Sequence, residues 1–244
     1  MRLFPLLLLL SSVLFWTSCQ TTKPFSANGQ EAMYTQSIVD ASYPEADEIS
    51  KSLTSIATTN KSLEWKEIDG QQYVLTATWV ANKSYYPTSG AYNTKQYDVW
   101  VTAIPDLSTL WPQIAPKDSK NNELRLKQLL GLPPTVTKSY FIEFWVQPKD
   151  LFRPCPDKDT EDSSCELCFT DDSDSTHIQW IRNLRNDSYY NCSGDKYPWT
   201  QLGYTYDWNP KNKTHVGLSE FVIKNNSSIF VNKVYTTEEY LNKK

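Results

Sequence analysis

Glycine is scarce in this chain, at 7 of 244 residues. Neither a P-loop nor a G-x-G-x-x-G turn occurs, so the backbone cradles that grip phosphates are excluded. Histidine is scarcer still, at 2 residues, and H-E-x-x-H is missing. Gly217-Leu-Ser219-Glu-Phe lacks the second glycine of a G-x-S-x-G elbow. Lysine and arginine never cluster into a stripe that tracks phosphates, and the net charge is −4, so nucleic acid is not an expected partner. After the first sixteen residues there is no long apolar run, which argues against a membrane-spanning helix in the rest. No internal repeat occurs, and no cofactor motif. Aromatics, by contrast, make up 14% of the chain, with 15 Tyr and 9 Trp. Side chains of that size can build a core in modest number.

The N-terminus has the layout of an export signal: Met1-Arg2, an apolar stretch from Leu3 to Trp16, then Thr17-Ser18-Cys19. Phe15-Trp16-Thr17-Ser18-Cys19 resembles a bacterial lipobox, most like the loose Ser-Cys versions of Bacteroidetes-type lipoproteins, with Trp16 where Leu is usual. The resemblance implies a lipid on Cys19 and a membrane partner through that anchor. Residues 20–30 (QTTKPFSANGQ) fit the polar tether of such proteins. Gln20 in place of Asp implies the outer membrane, and no acidic run follows Cys19, so a periplasm-facing position is expected. A second reading has signal peptidase cut after Cys19, leaving a secreted protein that begins at Gln20.

Seven Asn-x-Ser/Thr sequons, at Asn60, Asn82, Asn186, Asn191, Asn212, Asn225 and Asn226, exceed chance. They fit a glycosylated eukaryotic secreted protein, or an Asn- and Ser-rich bacterial proteome.

The remainder predicts one α+β domain over 31–244, with a mixed, mainly antiparallel sheet, two or three short helices and a disulfide-stapled loop. Ile49, Leu53 and Ile56 predict a helix over 45–59. Asp69-Gly70 predicts a hairpin between 63–68 and 71–80. Strands are expected over 97–104 and, buried on both faces, over 140–146. The best helix spans 119–130, with Asp118 or Ser119 as its cap, Leu126, Leu129 and Leu130 inward, and Gly131 at its end. A short helix is expected over 176–185, strands over 217–224 and 228–235, and a last helix from Thr236.

Cys155, Cys165, Cys168 and Cys192 are the cysteines after Cys19. In an oxidising compartment they imply two disulfides, with three possible pairings. Cys165-x-x-Cys168 also has zinc-knuckle spacing, but zinc would need all four thiolates. A redox CxxC should open a helix after a strand; this one sits in an acidic stretch. Asp157, Asp159 and Glu161 alternate like calcium ligands, yet no Gly stands at the sixth position and Cys168 occupies the twelfth, so the EF-hand pattern fails. A looser calcium site competes with a solvated acidic loop, and no metal is assigned.

No catalytic residue stands out. His177 and His215 read as hydrogen-bonded or surface residues. The order Arg153…Glu220 distantly resembles that of ADP-ribosyltransferase toxins, without the family's Ser-Thr-Ser strand; a salt bridge and a solvent-facing strand position are the plainer readings. Tyr85, Tyr86 and Tyr92, and above all Trp199, Tyr204, Tyr206 and Trp208, would make a glycan-stacking face if exposed; at strand alternation such residues are usually core. Four blocks, 124–134, 141–157, 197–208 and 217–221, are similar to a group of exported bacterial proteins of unknown function. The expectation is a lipid-anchored protein whose domain binds a glycan or a cell-envelope protein without catalysing. The alternatives are an exported enzyme acting on glycans or proteins and a eukaryotic secreted glycoprotein.

Overall fold

Asp69 and Gly70 both take left-handed backbone angles, φ 50° and 74°, the turn whose twist suits two adjacent antiparallel strands. In this computed structural model, which describes residues 27–192 and 194–243, they join β1 (Trp65–Ile68) to β2 (Gln71–Val80). Cys19, the lipobox and residues 20–26 of the expected tether lie outside the described residues.

The chain continues through β3 (Gly90–Asn93), β4 (Val99–Ala103), β5 (Tyr140–Val146), β6 (Leu151–Phe152), β7 (Tyr204–Tyr206), β8 (Val216–Ser219), β9 (Phe221–Ile223) and β10 (Ser228–Thr236). The main sheet has eight strands in the order β3-β10-β5-β2-β4-β9-β6, with β1 also on β2; β7 and β8 form a separate ribbon. The pairings are antiparallel. β5 lies between β10 and β2 and is buried on both faces as expected. Its Ile142, Phe144 and Val146 join Val74, Val101, Phe221 and Ile229 in one core. Phe141, one pleat over, joins Leu75, Trp79 and the helices in another.

Among the described residues there are five α-helices: α1 (Ala27–Ala41), α2 (Asp106–Ile114), α3 (Asn122–Leu129), α4 (Ser175–Arg185) and α5 (Thr237–Leu241). Leu107 and Trp111 of α2, Leu126 and Leu129 of α3, and Tyr240 of α5 cover the Phe141 face. Asp118 accepts from the Lys120 amide at 3.0 Å ahead of α3, and Gly131, at φ 62°, follows its end. Thr236 caps α5 through a capping box with Glu239. The result is a single α+β domain.

Two expectations need correction. Residues 45–59 form no α-helix beyond a short turn at Ala46–Glu48. The segment runs as a strap along the cysteine loop, its Leu53 and Ile56 amides donating to Ser163 O (2.9 Å) and Thr160 O (2.7 Å). Leu53 enters one core cluster and Ile56 another; a helix would have turned both to one face. The last four residues of the expected tether, 27–30, belong to α1.

The staple consists of one bridge, Cys155–Cys165. Cys168 and Cys192 are exposed and unpaired, against the expectation of two disulfides. α4 and a π-helical turn (Asn186–Tyr190) lie between them in the chain, a rod of about 20 Å.

Candidate functional site

The aromatics that read as either a glycan-stacking face or core form an interior seam. Trp199, Tyr204, Tyr206 and Trp208 are only 5%, 3%, 5% and 3% exposed, which removes them as a stacking surface for sugars. Their polar tips are spent on the protein. Trp199 Nε1 donates to Pro154 O at 3.0 Å and Trp208 Nε1 to Leu132 O at 3.0 Å. The Tyr204 hydroxyl donates to Glu48 O at 2.9 Å and that of Tyr206 to Asp40 Oδ2 at 2.6 Å. The seam thereby ties α1, the loop after α3 and the cysteine loop together. Of Tyr85, Tyr86 and Tyr92, Tyr85 alone is exposed; Tyr86 and Tyr92 pack against each other and the Ile142 core.

Arg153 is completely buried, and the acidic loop closes around its guanidinium. Nε donates to Asp159 O at 2.9 Å and Nη2 to Asp162 O at 2.8 Å, while Asp162 Oδ1 pairs with Nη2 at 3.4 Å. Asp157 and Asp159 instead turn the loop, accepting from the Asp159 and Glu161 amides at 3.0 and 2.8 Å. Two carbonyl oxygens of the loop, those of Asp159 and Asp162, thus face the Arg153 guanidinium. Among the described residues no group of three or more His, Cys, Asp or Glu is placed to hold a metal. Arg153 therefore offers nothing to a substrate, and one nitrogen, Nη1, is buried without a partner.

Both histidines are bound to backbone. His177 Nε2 lies 2.7 Å from Cys155 O, and burial lowers its pKa, so the ring is neutral and donates there. His215 Nδ1 lies 3.0 Å from Asp207 O, its ring stacked on Tyr206 at 4.7 Å.

Glu220 differs. It stands between β8 and β9, its amide donating to Gly203 O at 2.9 Å. Its neighbours Ser219 and Phe221 are buried, and strand alternation sends its own side chain the other way, within electrostatic reach of the Tyr189 phenol. The residue keeps some exposure, yet the carboxyl group is so desolvated that its pKa is pushed up to about 8, with no hydrogen bond or charge opposing the shift. Burial thus favours its protonated form, in which the carboxyl can donate a hydrogen bond.

Tyr189 and its neighbours are tied down by hydrogen bonds. The Tyr189 hydroxyl donates to Trp199 O. Gln201 Oε1 accepts from Arg185 Nε at 2.7 Å, and its Nε2 donates to Ala41 O at 3.1 Å. Gln201 holds φ 62°, an uncommon conformation for a residue with a side chain. A second acid, Asp106, is pushed up to about 6 by burial, against a 2.7 Å hydrogen bond from Thr54 Oγ1. The Thr54 amide donates to Ser219 Oγ at 2.7 Å, so one threonine links Asp106 to the residue beside Glu220. The sequence singles out Glu220 only through the distant Arg153…Glu220 resemblance and gives no signal for Arg185, Tyr189, Gln201 or Asp106, which lie in three segments without a shared motif.

Two shallow grooves, of about 520 and 550 Å³, lie elsewhere. One is lined by Thr58, Lys61, Leu63 and Trp65, the other by Lys66, Trp145, Phe230 and Asn232. Neither includes Glu220. No helix among the described residues is long and apolar enough to cross a membrane. No protein-family model matches the chain, and no curated protein or solved structure is significantly similar to it.

Proposed function

We propose that the chain is an exported lipoprotein, lipidated at Cys19 and held at the periplasmic side of the outer membrane, whose domain binds a cell-envelope component. The observation that carries this reading is the Cys155–Cys165 bridge, whose cysteines are 0% and 1% exposed. A buried structural disulfide fits a protein that matures in an oxidising compartment. Within the domain, the protonated Glu220 carboxyl is the hydrogen-bond donor offered to such a ligand. The rival reading, an exported hydrolase, takes Glu220 as its proton donor.

The test is the intact mass of native protein extracted from the membrane fraction, before and after reduction and thiol alkylation. Lipid mass on a chain beginning at Cys19, with Cys155 and Cys165 alkylated only after reduction, supports the anchored reading. A chain beginning at Gln20 with glycan mass overturns it in favour of eukaryotic secretion. A binding screen against envelope glycans and proteins, run beside a hydrolase screen with Glu220→Gln as control, then separates binder from enzyme.

A further inference from the structure

Alternation along β5 turns Phe141, Glu143 and Trp145 to the helix-covered face of the sheet. Phe141 and Glu143 are 3% and 0% exposed, whereas Trp145 is half-buried. The acid between the two aromatics is tied to the second of them. Trp145 Nε1 donates to Asn232 Oδ1 at 3.0 Å, and Asn232 Nδ2 donates to Glu143 Oε2 at 2.7 Å. Glu143 Oε1 pairs with Lys243 Nζ at 2.7 Å. Asn232 sits in a bulge of β10 between Val231 and Lys233, a device that re-aims side chains beside functional sites. A buried carboxylate costs more than an apolar residue of its size; here its hydrogen bonds fix the orientation of a tryptophan that reaches the surface. Trp145 floors the groove of about 550 Å³ together with Phe230, its direct partner across the β5–β10 pair. Tyr73 braces Phe230 edge-on at 5.5 Å. Lys66, Glu67, Asp69, Ser89 and Asn232 form the rim.

We infer that this groove binds a neutral β-1,4-linked glycan, its pyranose rings stacked on Trp145 and Phe230. The inference deepens the proposed reading of a domain that binds an envelope component, and rests on it. The indole N–H is spent on Asn232, so Trp145 offers its ring face, the part that packs on sugar C–H groups. One lysine beside two carboxylates leaves the rim slightly negative, unsuited to an anionic chain and equipped to hydrogen-bond hydroxyls. A peptide joining as an extra strand is disfavoured: Phe230 and Val231 already pair with β3 on one side and β5 on the other. A β-1,4 chain with equatorial substituents is a flat, extended ribbon, the shape that a shallow groove on a sheet admits. Lys66 reaches over the indole, 5.6 Å from its centroid; it is exposed on a flexible stem and swings aside for the sugar.

The purified full chain is titrated calorimetrically with cellohexaose and chitohexaose. Hexagalacturonate serves as the acidic comparator, and reduced, carboxymethylated lactalbumin as an extended polypeptide. Saturable binding of the neutral hexasaccharides is expected, weakened about tenfold or more in Trp145→Ala. Ser89→Trp, at an exposed rim position, should block the groove without touching the core, and so tests it even if Trp145→Ala does not fold. Asn232→Ala should weaken binding too, and add no further loss once Trp145 is alanine, because it acts through the ring. Failure of both neutral sugars to bind overturns the inference. So does preference for hexagalacturonate, or sugar binding that survives Trp145→Ala and Ser89→Trp. Lactalbumin binding that Ser89→Trp blocks, without sugar binding, makes the groove a polypeptide site instead. Sugar binding lost in Glu220→Gln but kept in Trp145→Ala moves the ligand to Glu220. Lipidation plays no part in the titration: silent sugars strike the groove and leave the Cys19 anchor standing, and a chain beginning at Gln20 strikes the anchor and leaves the groove.

Discussion

Asp207 closes on Arg125 with both carboxylate oxygens, Oδ1 accepting from Nη1 at 2.9 Å and Oδ2 from Nη2 at 2.7 Å. The side chains are 2% and 9% exposed, so the pair lies inside the protein and fastens α3 to the segment after β7. A bidentate pair of this kind fixes orientation as well as distance.

Removing one partner strands the other charge. Arg125→Met leaves Asp207 with the Asn209 amide and Asn212 Nδ2, at 3.1 and 3.0 Å, and no cation. The expected loss is about 3 kcal/mol, the low end for a broken buried pair, and Arg125→Met with Asp207→Leu should recover part of it. Urea unfolding of the two variants checks this. Equal stability of single variant and wild type would mean that the pair is solvated.

Asn212 is drawn into the same network, and this bears on the sequons. Its Nδ2 donates to Asp207 Oδ2 at 3.0 Å and to Val216 O at 2.9 Å, using both amide hydrogens. A glycan would take one of them. Expression in a glycosylating host should leave Asn212 unmodified even if the exposed Asn82 or Asn225 is occupied, as peptide mapping would show.

Glu220 makes stability depend on pH in a direction opposite to that of a salt-bridged carboxylate. Its folded pKa, about 8, stands above the ordinary 4.5, so the folded chain holds the proton more tightly than the unfolded one. The contribution is full below about 4.5, declines as pH rises, and is gone once pH passes about 8. Glu220→Gln keeps the neutral shape and cannot ionise, so it should lose less stability than wild type between pH 5 and 8. Parallel melting curves for the two proteins would sink this assignment.

Much of the fold is legible in the sequence because its signals are local. Asp69-Gly70 makes its hairpin, Asp118 and Gly131 bracket the α3 region, and the unbroken apolar run at 140–146 marks the central strand. What escaped reading is where burial and local pattern part company. α1 buries Tyr34, Ser37 and Ala41, a helical stripe too small and polar to stand out. α2 contains Pro112 in its last turn, where the missing amide costs a single hydrogen bond, and Leu107 with Trp111 holds the helix down. Ile49, Leu53 and Ile56 have helical spacing, but their segment is extended. The candidate site was legible only at Glu220, because the desolvation that sets it apart comes from residues distant in the chain.

Gly203 shows how tightly the cysteine loop is closed. It takes φ 76°, and a Cβ there would lie 2.7 Å from both Arg153 Cδ and Cys165 Sγ. Neither neighbour can yield, because Arg153 is fixed by the loop carbonyls and Cys165 by its bridge. Gly203→Ala should cost about 2–4 kcal/mol, combining backbone strain with overpacking. A thermal melt unchanged from wild type would contradict the close approach.

The buried seam reverses what tryptophan substitutions should do. On a sugar-stacking face, Trp199→Ala would abolish binding and leave stability alone. In this fold Trp199 is 5% exposed, stacks on Tyr189 at 6.5 Å and donates to Pro154 O at 3.0 Å. Trp208, equally buried, meets Tyr34 edge-on at 5.9 Å and donates to Leu132 O at 3.0 Å. Either alanine variant opens a large cavity, expected to cost about 3–5 kcal/mol, and also removes the donor from a carbonyl inside the protein, about 1–3 kcal/mol more if water does not replace it. Stability of this order is a large share of what a single domain has, so both variants should unfold at far lower urea concentration, Trp199→Phe less so because the ring largely fills the space. Any ligand the domain takes should bind the folded fraction of these variants with wild-type affinity. If Trp199→Ala instead melts like wild type and loses a ligand, the side chain faces solvent and the seam is a binding surface after all.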